Sequence, residues 1–198
     1  MNDNQKVVAL VGMCGSGKSE VADCFIRADF DYLRLGQITL DEVKKRGLEP
    51  KEENERPIRE GFRQQYGKAA FAILNFPKID ALLAKGENVI CDGLYSWSEY
   101  KEFKKKYDKK FRVVSVFTPP EIRYQRLTNR RQKYKDDPKM KYRSFSFEEA
   151  KSRDYSEIEN IEKGGPIAMA DYTIVNVLAL DDLKKCTNYI INQIKNEE

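Results

Sequence analysis

Apolar positions along the chain follow two alternating patterns. Short continuous runs occupy 6–11 (Lys-Val-Val-Ala-Leu-Val), 87–92 (Glu-Asn-Val-Ile-Cys-Asp), 111–117 (Phe-Arg-Val-Val-Ser-Val-Phe) and 172–177 (Tyr-Thr-Ile-Val-Asn-Val), with a shorter extended segment near 31–34. Runs of this length, rich in β-branched residues, predict strands. In 87–92 and 111–117 the apolar residues are continuous rather than alternating, which predicts central strands covered on both faces. Between the runs, helical spacing predicts helices over 17–28, 37–47, 54–75, 77–85, 97–107, 119–134, 146–162 and 180–194. Breaks are punctuated by Gly47, Pro50, Pro77, Gly86, Pro119-Pro120, Pro138 and Gly164-Gly165-Pro166. Strand and helix alternate throughout, so an α/β fold with a mostly parallel sheet is expected.

One loop between a strand and a helix carries chemistry. Gly12-Met13-Cys14-Gly15-Ser16-Gly17-Lys18-Ser19 satisfies G-x-x-x-x-G-K-[ST], after the run 6–11 and before Glu20–Ile26. Glycines in such a loop let successive N–H groups converge on one concavity, and the following helix adds its positive dipole end. Gly12, Cys14, Gly15, Ser16, Gly17, Lys18 and Ser19 are therefore the candidates for holding a nucleotide's phosphates. Lys18 would reach the β- and γ-phosphates and Ser19 would ligate Mg²⁺. Asp92 ends the run 87–92, where a carboxylate could hold Mg²⁺ through water or orient an acceptor hydroxyl. ATP and Mg²⁺ are the implied cofactors.

Composition narrows the chemistry. The chain has 198 residues, 40% of them hydrophobic and 34% charged, and reads most simply as one domain with a heavily charged surface. No apolar run approaches the roughly 20 residues of a membrane span, and the first residues lead straight into a strand, so a cytoplasmic protein is expected. Cys14, Cys24, Cys91 and Cys186 are widely spaced, which fits reduced thiols. Histidine is absent, leaving carboxylates, lysines, arginines and Mg²⁺ as the chemical groups available. The net charge of +4 is too small to imply nucleic acid by itself, but positive charge concentrates between Arg123 and Arg143.

Two stretches interrupt the βα rhythm, one over about 36–86 and a basic, Tyr-rich one over about 126–150. A helical insert after the second strand and a basic segment after the fourth are the layout of a small kinase: the insert would hold the acceptor, and the basic segment would close over the phosphates as a lid. Arg123, Arg126 and Arg130 stand at i, i+3 and i+7, so they share a helix face, and guanidinium forks suit phosphate oxygens. Arg126 and Arg130 are expected to reach the donor phosphates, and Arg153 is a further candidate for transition-state charge. For the acceptor the candidates are Arg34, Arg59, Arg63 and Tyr66, together with Asp92. Tyr95 and Trp97 could equally face a ring or belong to the core.

With the loop, Arg34-Leu35-Gly36, Glu42–Leu48, Phe62–Gly67, Asp92-Gly93, the Arg123/Arg126/Arg130 series, Arg153-Asp154 and Ala170–Asn176 in view, the chain resembles the nucleoside monophosphate kinase-like group of P-loop proteins. More narrowly it is similar to a branch related to adenylate kinase and dephospho-coenzyme A kinase. The resemblance implies a three-layer P-loop fold with a five-stranded parallel sheet and a lid. The implied activity is ATP-dependent phosphorylation of a small, nucleotide-like acceptor by a monomer or homodimer. Gln37 and Leu40 stand where relatives usually carry an Asp and a phosphate-gripping Arg. That departure keeps a hydroxyl acceptor, as in dephospho-coenzyme A kinase, in play. Another alternative is a nucleic-acid-associated ATPase or kinase tracking a backbone with the basic segment 123–143. A GTP switch is disfavoured because no N-K-x-D element is present.

Overall fold

The computed structural model describes residues 4–133 and 145–197, the side chains of 130–133 excepted. Five strands, β1 (Val7–Val11), β2 (Phe30–Arg34), β3 (Asn88–Asp92), β4 (Phe111–Phe117) and β5 (Tyr172–Val175), form one sheet in the order β2-β3-β1-β4-β5. Every pairing is parallel. The five expected strands are all present, each within about two residues of its sequence bounds.

Successive side chains of a strand point to opposite faces, and β1 supplies both cores in this way. Val8 and Leu10 join Val21, Phe25, Leu183, Ile190 and Ile194 under helices α1 (Lys18–Arg27) and α9 (Leu180–Asn196). Val7, Ala9 and Val11 join Ile79, Phe103 and Phe111 under α4 (Ala70–Ala84) and α5 (Trp97–Tyr107). Two covered faces explain why these strands read as continuous apolar runs. The chain therefore has the three-layer α/β P-loop kinase-like fold.

Three helices, α2 (Gln37–Lys45), α3 (Glu52–Tyr66) and α4, separate β2 from β3. The expected break at Pro77 is not observed. Pro77 lies inside α4, and the chain breaks instead at Gly67, whose φ of 75° and ψ of −170° are open essentially to glycine. Proline removes one helical hydrogen bond, but burial of Phe71, Ala72, Asn75 and Ile79 holds α4 together across the gap. Buried Asn75 also donates its Nδ2 to Leu35 O at 2.9 Å, tying α4 to the end of β2.

After β4 come α6 (Pro120–Lys133), α7 (Phe147–Ile161) and a short α8 (Gly164–Ala168), which replaces the simple break expected at Gly164-Gly165-Pro166. Residues 134–144, the middle of the anticipated lid, lie outside the described residues. No described helix is long and apolar enough to cross a membrane.

Candidate active site

All five strands end on the same edge, and parallel sheets bind ligands there, at the point where the strand order reverses. The loop Gly12–Gly17 leaves β1 on that edge and runs into the first turn of α1. Gly12 (φ 138°) passes so close to β4 that a Cβ would stand 2.5 Å from Val116 O. Gly17 (φ 103°) presses against β5's end, where a Cβ would stand 2.3 Å from Asn176 Nδ2. No L side chain fits at either place.

The loop is held from three directions. Asn176 Nδ2 donates to Ser16 O at 2.8 Å, and Thr118 Oγ1 lies 3.0 Å from the same oxygen. Arg123 donates through Nη1 to Cys14 O at 3.1 Å and through Nε to Thr118 O at 3.0 Å. The positive charge of Arg123 is matched by Asp154 of α7 at 2.5 Å, a pair buried on both sides that Tyr124 OH completes at 2.9 Å. Arg123 is thus a brace beneath the loop and not part of a phosphate-facing row, because the loop and α7 enclose its side chain. Gly15 backs onto this brace, and the Cys14 side chain packs with Tyr124, Leu127 and Ala150 as filler. Ser16 is fully buried: its backbone N–H donates to Met13 O at 3.3 Å, and its Oγ finds no partner among the described residues.

With the carbonyls engaged behind, the N–H groups at the start of α1 have no side-chain cap. An uncapped helix N-terminus at the end of a glycine loop is an anion site. Lys18 reaches over it, donating Nζ to Gly12 O at 2.8 Å and Met13 O at 3.1 Å. Burial, and then the charge of Lys163, pull the Lys18 ammonium down to about 8. Ser19 is exposed beside it in the same turn.

Opposite the loop, Asp92 ends β3 in register with Leu10 of β1 and Arg34 of β2. Its Oδ2 accepts a hydrogen bond from Tyr32 OH at 3.0 Å. Burial and the neighbouring carboxylate push the Tyr32 phenol well above its ordinary value, so it stays a donor. Tyr32 gave no signal in the sequence beyond its strand, and only the β2–β3 register brings it to Asp92. Arg34 is exposed on the same side of β2.

Arg126 points to the other flank, donating to Thr118 Oγ1 at 3.3 Å and Asn176 O at 3.2 Å, next to exposed Val177 and Leu178. Arg130 belongs to α6, but its side chain is outside the described residues. Arg153 of α7 donates Nε to Glu157 at 2.8 Å, and its guanidinium lies over the Phe145 ring at 5.2 Å. Glu157 also pairs with Lys163 at 2.5 Å. Neither Glu157 nor Lys163 was legible beforehand: the left-handed turn at Glu162 (φ 56°) folds Lys163 back under α7.

The acceptor candidates are less converged. Arg59 is ion-paired with Glu52 and, at 3.1 Å, with Glu55 on its own helix. Arg63 lies over the Phe71 ring at 5.4 Å and lends charge to buried Glu99. Glu99 in turn accepts the Tyr95 and Ser96 N–H groups at 2.8 and 3.0 Å, fixing the turn after Asp92. Tyr66 is exposed at the end of α3. Trp97 stacks on Tyr100 at 4.9 Å and against Gly165, a packing role, whereas Tyr95 remains on the site's rim.

Comparison with known proteins agrees with this geometry. A family model described as an AAA domain matches residues 8–154. A UPF0200 protein of Pyrococcus abyssi is 34% identical over 189 residues, covering 95% of this chain and 96% of the relative. One from Thermococcus kodakarensis is 35% identical over 193 residues, covering 95% of this chain and all of its own. Among solved structures, shikimate kinase from Bacteroides thetaiotaomicron superimposes with a TM-score of 0.57 at 15% identity, over 96% of this chain and 98% of its own. A gluconokinase from Sinorhizobium meliloti 1021 does so with a TM-score of 0.56 at 12% identity, over 97% and 94%. At these identities the likeness concerns the fold alone.

Proposed function

Given that the chain belongs to the UPF0200 family and carries an AAA-type P-loop domain, we propose that it transfers the γ-phosphoryl group of ATP to a small, nucleotide-like acceptor. The observation that carries this reading is the uncapped start of α1. It combines a braced glycine loop, a lysine bonded to loop carbonyls, and a carboxylate across the gap. Phosphoryl transfer asks for positioning and charge neutralisation more than covalent chemistry, and this arrangement supplies both.

In this reading the N–H groups of residues 14, 15 and 17–19 and the Lys18 ammonium bind the donor phosphates, while Ser16 shapes the loop from behind through its N–H bond to Met13 O. Arg126, with Val177 and Leu178, offers a planar cation and apolar surface for the donor base. Ser19 and Asp92 would hold Mg²⁺. Both are oxygen donors, which suits that hard ion, and no cluster of three acidic or thiol ligands occurs among the described residues, so phosphate and water would complete the shell. When bound, Mg²⁺ neutralises charge on the phosphate oxygens. Asp92, oriented by Tyr32, receives the proton of an attacking hydroxyl or aligns an attacking phosphate. Arg34, Arg63 and Tyr66, with the insert 36–86, face the acceptor, and Arg130 and Arg153 add charge at the transferring group. The Asp92–Tyr32 pair favours keeping the hydroxyl acceptor as a second reading. Burial of Arg123 and Tyr124 weighs against a strand-tracking surface.

The test is turnover of Mg–ATP against a panel of nucleoside monophosphates, nucleosides and dephospho-coenzyme A. A phosphorylated acceptor is expected, with Lys18→Ala lowering the rate by about 10³-fold. ATP binding without turnover of any acceptor would overturn the small-molecule kinase reading.

A further inference from the structure

Lys163 is a lysine only 2% exposed, and a buried ammonium needs a reason. Its Nζ meets Glu157 Oε2 at 2.5 Å and lies over the Tyr95 ring at 4.6 Å. The Tyr95 ring rests against Gly93, where a Cβ would meet it at 3.4 Å, and Gly93 follows Asp92. Lys163 therefore sits beneath Tyr95, beside the carboxylate end of β3.

Glu157 cannot balance what surrounds it. One carboxylate serves both Arg153, at 2.8 Å through Oε1, and Lys163, at 2.5 Å through Oε2. Lys18 adds a third cation, hydrogen-bonded to the carbonyls of Gly12 and Met13, and the Asp92 carboxylate accepts from a neutral phenol. Three cations against two carboxylates leave the gap short of negative charge. A structural ion pair would have no cause to gather this surplus. A site awaiting an anion would.

We infer that Lys163 is a second phosphate-contacting lysine. Glu157 stores Arg153 and Lys163 as a pair while the site is empty, and the terminal phosphoryl group of a bound nucleoside triphosphate takes its place as their partner. The assignment rests on the phosphate-loop reading above and adds to it a device that distinguishes triphosphate from diphosphate. Lys18 and the loop amides grip the phosphates common to ATP and ADP. Lys163 and Arg153 answer to the one that differs.

Calorimetry with Mg–ATP and Mg–ADP on the full chain decides it. Lys163→Met keeps the aliphatic stem, and is expected to weaken ATP at least about tenfold while changing ADP less than about twofold, with Lys163→Arg recovering part of the loss. Glu157→Gln removes the competing carboxylate, and is expected to tighten ATP about threefold or more with ADP unchanged. Should Lys163→Met lose its native circular dichroism, the Glu157→Gln result carries the decision alone. An ATP-to-ADP preference that stays within twofold of wild type in both variants, or in Glu157→Gln where it stands alone, overturns the role of Lys163 and leaves the loop intact. A wild-type protein that binds neither nucleotide overturns the phosphate-loop reading itself.

Discussion

Around residues 12–19 the backbone is gripped by side chains from distant elements, whereas α3 carries most of its charges paired on its own surface. Asn176 and Thr118 converge on Ser16 O, and Arg123 holds Cys14 O with its own charge cancelled by Asp154. On α3, Ile58 alone among fifteen residues is buried, Arg56 pairs with Glu60, and Arg59 pairs with Glu52 and Glu55. In the reaction proposed above, the contrast would separate two tasks. Phosphates are the same in every donor, so a rigid cradle preorganised at folding suits them. Acceptors differ, and an exposed helix can change its recognition residues without disturbing a core.

The contrast is broken most sharply at Gly17. Gly17→Ala places a Cβ on Asn176 Nδ2 and strains a left-handed backbone, and is expected to cost about 2–4 kcal/mol of stability by denaturant midpoint. Calorimetric ATP binding should vanish with it. A protein of wild-type stability and affinity would mean that the loop is not braced as described.

A mid-sized effect follows from Lys18. Its ammonium is held down to about 8 in the free protein, and a bound triphosphate would return it toward its ordinary, higher value. Binding then draws in a proton above that pH. Affinity for Mg–ATP should be flat below about pH 8 and fall with rising pH, by about tenfold near pH 9. Titrations in two buffers of different ionisation heat would register the uptake. A flat profile to pH 9 would remove the charge from Lys18's role.

The smallest effect is expected on α3. Arg59→Ala should move stability by no more than about 1 kcal/mol and leave ATP affinity unchanged, since a half-buried i,i+4 pair on one helix contributes little. Any loss should appear only in the KM of the acceptor. Should Arg59→Ala weaken ATP as strongly as Gly17→Ala, the division into donor cradle and acceptor surface fails.

Legibility followed the same division. The strands, the phosphate loop and Asp92 were readable because each depends on local chemistry: a run of β-branched residues, glycines at fixed spacing, a carboxylate at a strand's end. Where readings went astray, packing outweighed a local rule. Pro77 reads as a helix stop, yet α4 runs through it because its buried face compensates, and Gly67 ends α3 instead. Arg123 falls on the same helical face as Arg126 and Arg130, yet Asp154 of α7 and the Cys14 carbonyl enclose it and turn it into a brace.

What the amino-acid order determined alone is the parallel α/β scaffold and the glycine-rich P-loop turn, since both arise from contacts within a few residues. Only the tertiary structure decided that Tyr32 meets Asp92 across 60 residues, that Asn176 reaches Ser16 across 160, and that Lys163 folds under α7 beside Glu157. Such meetings depend on strand register and on where chain reversals such as that at Glu162 point the next residue, and no local period encodes either.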